Sequence, residues 1–189
     1  MSPTRGEIGG GLAFVVTAEV VGDVAAREAL LDRAMGPGRK RKSSEKLRRC
    51  RKPSEGLAFV ARDVDGRLVG TVRLWNVAAG RDGRPALLLG PLAVDPALKS
   101  AGIGSELMRH AVEEARRLGH SAILLVGDAP YYARFGFSAE KTGRLSMPGP
   151  YERHRFLALE LEPGALDGAH GVLRATGRKL AAKALWTVA

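Results

Sequence analysis

Apolar residues along this chain come in short runs broken by glycine and proline, with one long stretch of helical spacing among them. Leu12–Thr17 reads as a strand. Asp23 is a residue type suited to a helix N-cap, and behind it Val24, Leu31 and Met35 keep helical spacing until Gly36-Pro37-Gly38 ends the helix. Leu57–Ala61 and Leu68–Val77 are strand-like, with the hairpin signal Asp65-Gly66 between them. Arg81-Asp82-Gly83 marks another turn. Ala86–Val94, apolar almost throughout, then reads as a third consecutive strand buried on both faces. Gly90-Pro91 interrupts it. Proline cannot donate to a sheet ladder, so this dipeptide predicts a bulge that bends the strand away from its next neighbour.

The clearest helix runs from Ile103 to Leu118. Ile103, Leu107, Ala111, Val112, Ala115 and Leu118 share one face, and Glu106, Arg109, His110, Glu113, Arg116 and Arg117 the other. Glu113 and Arg117 are spaced as an i,i+4 ion pair, and Gly119 is a natural stop. Ser121–Val126 returns as a strand, and a strand–helix–strand unit of this kind is parallel and right-handed. Pro130–Phe135 is a short helical segment, Phe156–Leu161 a last alternating strand, and Val172–Trp186 has the spacing of a basic helix. The sum is an α/β (α+β) fold. Its central sheet is mixed and mostly antiparallel, with one bulged strand and one parallel βαβ crossover. Residues 1–11 read as a flexible lead, 12–162 as the domain, and 163–189 as a basic, helical extension.

Composition narrows the classes. The chain has 189 residues, 45% of them hydrophobic, enough for a packed core. Its single cysteine, Cys50, excludes an internal disulfide and a zinc site of several thiolates, and suits a reducing cytoplasm. No run approaches the roughly 18 apolar residues of a membrane span, and no secretory signal is evident. The formal net charge is +10. Much of it lies in one tract: Arg39, Lys40, Arg41, Lys42, Lys46, Arg48, Arg49, Arg51 and Lys52, opposed only by Glu45. Such a tract attracts anions, but a charge run alone carries no geometry, and a solvated, mobile loop or helix face is the plainer reading.

The chemistry centres on Lys99-Ser100-Ala101-Gly102-Ile103-Gly104-Ser105, which opens the long helix. Amides at a helix start have no helical acceptor, the helix dipole adds positive character, and glycine admits an anion close to the backbone. Lys99 adds a charge and Ser105 a hydroxyl. Against this, glycines near helix starts are common, and neither a dinucleotide fingerprint nor a P-loop is complete here. Local features leave anion binding and a plain loop level.

Leu92-Ala-Val-Asp-Pro-Ala-Leu-Lys-Ser-Ala-Gly-Ile-Gly104 resembles the acetyl-CoA loop of the GCN5-related N-acetyltransferase (GNAT) family, and Tyr131-Tyr-Ala-Arg-Phe-Gly-Phe137 resembles a second, downstream motif of that family. The resemblance covers the element order from about Leu12 to Leu161 and looks most like a bacterial branch of unknown substrate. It implies acetyl-CoA (coenzyme A) as cofactor and transfer of acetyl to an amine. The pyrophosphate would be held by amides from Lys99 to Ser105, and Leu92, Ala93 and Val94 would line the pantetheine arm. Tyr132 falls at the place of the general acid, and Arg134 would reach either a cofactor phosphate or solvent. Ala86–Val94 lacks the strand glutamate that serves some relatives as base; Asp128 and Asp95 are the nearest acids, Asp128 could face the cleft, Asp95 reads as a turn residue before Pro96, and water-mediated deprotonation stands level with either. The acceptor would be a small-molecule or protein amine, with no membrane and no metal involved, nucleic acid ranked low and a homodimer allowed. Specificity would lie in about 23–52 and 141–155. The competing reading is a non-catalytic acyl-CoA-binding or nucleic-acid-associated module on the same fold. Tyr131 reads as a packing aromatic, Trp75 as core or cleft wall, His110 as an unremarkable residue of the polar helix face, His154 as solvated, and Cys50 as a bystander thiol.

Overall fold

Strand runs pair wherever alternation leaves one face to bury, and helices form where apolar spacing gives a stripe to cover it. The computed structural model describes residues 4–6 and 13–181. In chain order the elements are β1 (Thr4–Gly6), β2 (Phe14–Ala18), α1 (Val24–Met35), α2 (Glu45–Arg48), β3 (Ala58–Asp63), β4 (Leu68–Ala79), β5 (Arg84–Val94), α3 (Ile103–Arg117), β6 (Ala122–Val126), α4 (Ala129–Ala133), β7 (Leu145–Ser146), β8 (Phe156–Glu160), β9 (Gly171–Val172) and β10 (Arg174–Ala175). They fall into two compact units. One comprises the chain to Lys40 with Gly56–Leu74 and Leu89–Gly119; the other comprises Arg41–Glu55, Trp75–Leu88 and the chain from His120.

In the first unit β1, β2, β3 and the first half of β4 form an antiparallel run, with Val16 opposite Ala61 and Phe59 opposite Val72. Successive residues of β3 serve opposite faces, as strand geometry requires. The Phe59 ring meets the imidazole of His110 on α3 edge-on at 4.6 Å, while Val60 clusters with Leu30 of α1 and with Leu68. Gly70 on β4 is what lets α3 lie close. A Cβ there would stand 2.8 Å from Ile103 Cγ2 and 2.9 Å from Leu107 Cδ1. The sheet also carries an ionic cluster. The Glu19 carboxylate, 5% exposed, accepts from Arg27 and from Arg73, whose Nε lies 2.7 Å from Glu19 Oε2. Arg27 also pairs with Glu28, which with Asp32 receives the Arg39 guanidinium.

In the second unit the start of β5 pairs in parallel with β6 (Leu87 with Ile123, Leu88 with Leu124), and β8 lies antiparallel to β6, with Val126 opposite Phe156. β10 pairs with the second half of β4, and β7 with β9. Leu47, Trp75, Leu88, Leu124, Met147 and Phe156 share one core. The βαβ crossover, the mixed and mostly antiparallel sheet and the buried Trp75 agree with the sequence reading.

Several expectations need correction. The extension after Pro163 contains no helix through Ala181; β9 and β10 occupy the first part of the expected helix, and residues 182–189 lie outside the described residues. Apolar residues at helical spacing were there, but Gly171 at φ 98° and Gly177, packed against the Lys52 and Asn76 carbonyls, suit a segment laid along a sheet. Of the lead, Thr4–Gly6 pairs with β2, and 1–3 and 7–11 lie outside the described residues. Residues 39–52 bear out the solvated helix-face reading in part, since α2 lies in them and Arg41, Lys42, Lys46 and Arg49 are exposed, but the tract is folded rather than a loose loop. Arg39 is buried in its ion pairs, Leu47 is in the core, and Lys52 N–H donates to Arg178 O and Leu180 N–H to Cys50 O at 2.8 and 2.9 Å. Asp23 does not cap α1 with its side chain; its carboxylate accepts from Val20 N–H at 3.0 Å and pairs with Arg62. Arg117 pairs with Glu114 rather than Glu113, and His110, half-buried on the polar side of α3, packs edge-on against Phe59.

Candidate active site

The predicted site residues divide between the two units. The loop belongs to the first. Asp95 ends β5: its N–H donates to Val69 O at 2.8 Å, and its carboxylate accepts from Ala97 N–H at 3.1 Å and from Arg33. The Ala97 N–H and the Arg33 guanidinium hold the Asp95 carboxyl below the usual carboxylate range. This aspartate is the turn residue expected before Pro96. Behind it Ser100 has φ 68° and Gly102 φ 73°, both left-handed. A left-handed residue reverses the chain so that α3 starts at once from the loop. The first rung of α3 is Glu106 N–H to Gly102 O at 3.0 Å. The amides of Ile103, Gly104 and Ser105 therefore precede the ladder and point out of the helix end. Ile103 is buried and anchors the turn, while Lys99 and Ser100 are exposed and Gly102, Gly104 and Ser105 half-buried. Leu92 and Val94 are half-buried and Ala93 buried, the alternation of a strand with one face partly open. β5 is unbroken from Arg84 to Val94; what stops short of the bulge expected near Gly90-Pro91 is its pairing with β6. Gly90 has φ 130°, the Gly90–Pro91 peptide is cis, and the parallel pairs with β6 run through Leu88.

The tyrosine segment belongs to the second unit. Asp128, exposed, caps α4 by accepting from Tyr131 N–H at 3.3 Å, with Pro130 in the first turn. Tyr132 follows on that turn, half-buried, with Tyr131 edge-on at 4.9 Å and Phe137 at 6.0 Å. Burial pushes its phenol up to about 12; Tyr131 and Asp128 add to the rise, and Arg155 acts against it. Arg134 lies over the Tyr131 ring at 4.5 Å and donates to Tyr131 O at 3.2 Å. Tyr131 is thus the packing aromatic expected. Two neighbours of Tyr132 went unread in the sequence. Gly127 lies directly against the ring, and Arg155 is bonded to Gly127. A glycine between a strand and an aspartate N-cap signals close approach; no spacing pointed to Arg155. Among the described residues no group of three His, Cys, Asp or Glu is placed to hold a metal ion.

A sequence profile of the acetyltransferase (GNAT) family matches residues 25–137. The chain belongs to that family. Among its relatives, this GNAT chain is 27% identical over 117 residues to the uncharacterised N-acetyltransferase YhbS of Escherichia coli, covering 62% of this chain and 70% of that protein. It is 31% identical over 121 residues to the uncharacterised N-acetyltransferase YjhQ of the same organism, covering 59% and 66%. Two solved structures share the GNAT fold with it. The E. coli YhbS structure in complex with CoA superposes with a TM-score of 0.72 at 24% identity, covering 90% of this chain and 94% of that one. A GNAT-family acetyltransferase from Brucella melitensis in complex with acetyl-CoA gives 0.62 at 24%, covering 86% and 96%. Among the described residues no helix is long and apolar enough to cross a membrane.

Proposed function

We propose that the protein transfers the acetyl group of acetyl-CoA to an amine by direct attack in a ternary complex. The observation that carries this reading is the left-handed Gly102 that launches α3 with the amides of Ile103, Gly104 and Ser105 ahead of its first rung. That is an anion cradle at the positive end of a 15-residue helix, suited to a pyrophosphate. Family membership and the CoA and acetyl-CoA bound to the two solved relatives support that choice of anion. Backbone amides do most of the holding, because lysine at 99 supplies charge without the planar fork of arginine. Main-chain groups of Leu92, Ala93 and Val94 receive the pantetheine arm as an added strand would be received.

In this reading the amine attacks the thioester carbon, and charge develops on the carbonyl oxygen, where a preorganised N–H stabilises it. Tyr132 gives its proton to the departing thiolate. A free phenol near 10 would stand about 1.5 pKa units above a thiol near 8.5. At about 12 the gap is about 3.5 units, roughly 5 kcal/mol, so the phenol stabilises the thiolate first as a hydrogen-bond donor and completes transfer with help from neighbouring charge. Asp128, exposed and one turn before Tyr132, takes the proton of the incoming ammonium through water. Arg134 reaches a cofactor phosphate only by leaving the Tyr131 ring. The acceptor is a small-molecule or protein amine, and the lone exposed thiol Cys50 fits a reducing cytoplasm.

Coenzyme release over a panel of amines, with wild type and Tyr132→Phe, tests the reading. The variant is expected to bind acetyl-CoA and lose about 10²–10⁴ in rate. Absence of acetyl-CoA binding by calorimetry sinks the proposal, and an unimpaired Tyr132→Phe removes the acid.

A further inference from the structure

Gly127 does not owe its identity to backbone conformation, since its φ lies outside the left-handed region. Space requires the glycine instead. A Cβ at Gly127 would stand 2.1 Å from Tyr132 Cε2, 2.8 Å from Cδ2 and 3.0 Å from Cζ. Ordinary contact begins at 3.4 Å, so any larger residue must drive the ring back by at least 3.4 − 2.1 = 1.3 Å or move the backbone.

That backbone is held on both sides. Gly127 extends the β6–β8 ladder one residue past the Val126–Phe156 pair. Its N–H donates to Arg155 O at 2.9 Å, and Arg155 Nε donates back to Gly127 O at 3.3 Å. The bond fixes the stem of Arg155, whose Nη1 also meets Glu152 at 3.1 Å. The groups facing Tyr132 are then Gly127 under the ring, Tyr131 and Phe137 at its edges, Asp128 on its own helix, and Arg155 from the start of β8. Arg155 reaches that set through Gly127, whose N–H and O it bonds from the neighbouring strand end.

We propose that Gly127 and Arg155 act as a paired clamp of positioning residues: Gly127 seats the Tyr132 ring, and Arg155, bonded to Gly127 at both its N–H and its O, holds that seat in place. The inference rests on Tyr132 being the general acid. It adds that the strand end behind α4, and not α4 alone, sets where that acid stands. A displacement of about 1 Å at a reacting group is enough to cost on the order of a hundredfold in rate.

The test uses the full chain and measures coenzyme release and acetyl-CoA affinity for Gly127→Ala, Arg155→Gln and Arg155→Lys, each alone and combined with Tyr132→Phe. Gly127→Ala is expected to lower kcat by about 10–100-fold while acetyl-CoA affinity stays within about threefold. Combined with Tyr132→Phe it should cost little more than Tyr132→Phe alone, because both act through one hydroxyl. Arg155→Gln and Arg155→Lys both lose the Nε–H bond to Gly127 O and should each lose about tenfold in kcat. Multiplicative losses in the double variants, or wild-type kcat in both Arg155 variants, overturn the clamp. A second readout needs no turnover. In protein carrying ring-labelled tyrosine, the Tyr132 resonance, assigned by its absence in Tyr132→Phe, should move in Gly127→Ala; an unmoved resonance overturns the seat. If Tyr132→Phe retains the wild-type rate, the acid assignment falls, while the resonance still decides whether Gly127 seats the ring.

Discussion

Replacing Gly70 with alanine tests how tightly α3, and with it the anion cradle, is held on the sheet. Gly70 has no left-handed φ, so alanine fits its backbone, and by restricting the unfolded chain it gains about 0.4–1 kcal/mol. The added methyl would stand 2.8 Å from Ile103 Cγ2, 2.9 Å from Leu107 Cδ1 and 3.2 Å from Ala61 Cβ. To reach ordinary contact at 3.4 Å, the first turn of α3 must rise by at least 3.4 − 2.8 = 0.6 Å. Overpacking of this kind costs about 1–3 kcal/mol, which outweighs the entropic gain and leaves a net loss of about 1–2 kcal/mol. For a chain of this length that lowers Tm by about 2–8 °C. Ile103 is the first residue of α3, so the lift also moves the loop amides, and acetyl-CoA affinity should fall about tenfold, or about 1.4 kcal/mol. Thermal unfolding and calorimetry on the same samples read both. Gly70→Val should be worse on each. An alanine variant as stable as wild type with unchanged affinity would refute the close seating of α3; lost stability with unchanged affinity would separate the helix from the cofactor.

Other expectations follow from the same geometry. Lys99→Ala should weaken acetyl-CoA binding about threefold or less, whereas Gly102→Val, forced to φ 73°, should abolish detectable binding by calorimetry; equal small effects would contradict amide-dominated holding. Glu19→Ala leaves Arg27 and Arg73 without this shared carboxylate, so urea unfolding should show a loss of about 3–5 kcal/mol, and a loss below about 1 would mean the cluster relaxes into water. His120 gives a pH signature. Burial pushes its imidazole below the usual value, so the unfolded chain takes up the proton first as pH falls. Its contribution is complete above about pH 6.5 and declines below it. Stability measured from pH 7.5 to 5.5 should fall less steeply in His120→Asn, and identical slopes would refute the assignment.

The parts of the molecule that sequence revealed are those with long periodic signals. α3 was legible because its apolar residues repeat on one face through four turns, and Gly119 at φ 77° stops it. The turns at Gly66 and Gly83 were legible because only glycine takes their left-handed backbone cheaply. β9 and β10 were not, because two-residue strands have no period, and basic residues at helical spacing imitate a helix. Pairing partners were equally hidden: Glu113 and Glu114 stand four and three residues before Arg117, both within helical reach, and the structure pairs Arg117 with Glu114. At the site, the motif residues could be located from order alone. The glycines at 70 and 127 stood in view, but a glycine's meaning is the atom facing it, and Ile103 and Tyr132 are brought there by the fold.

The composition of the two units orders their assembly during synthesis. Every residue of the first unit has been made once Gly119 is added, so its β2–β3–β4 run and α3 can pack while the rest of the chain is still being translated. The second unit draws on Arg41–Glu55 and Trp75–Leu88 but needs β8, β10 and the pairing of Arg178 and Leu180 with the 50–52 segment. For the interval between those points the second half of β4 lacks its β10 partner and Leu47 and Trp75 lack much of their core. A ribosome stalled once Gly119 has cleared the exit tunnel, but before the C-terminal strands emerge, should therefore carry one protease-resistant unit and one open segment, and slow translation of the last stretch lengthens the time that strand edge is exposed.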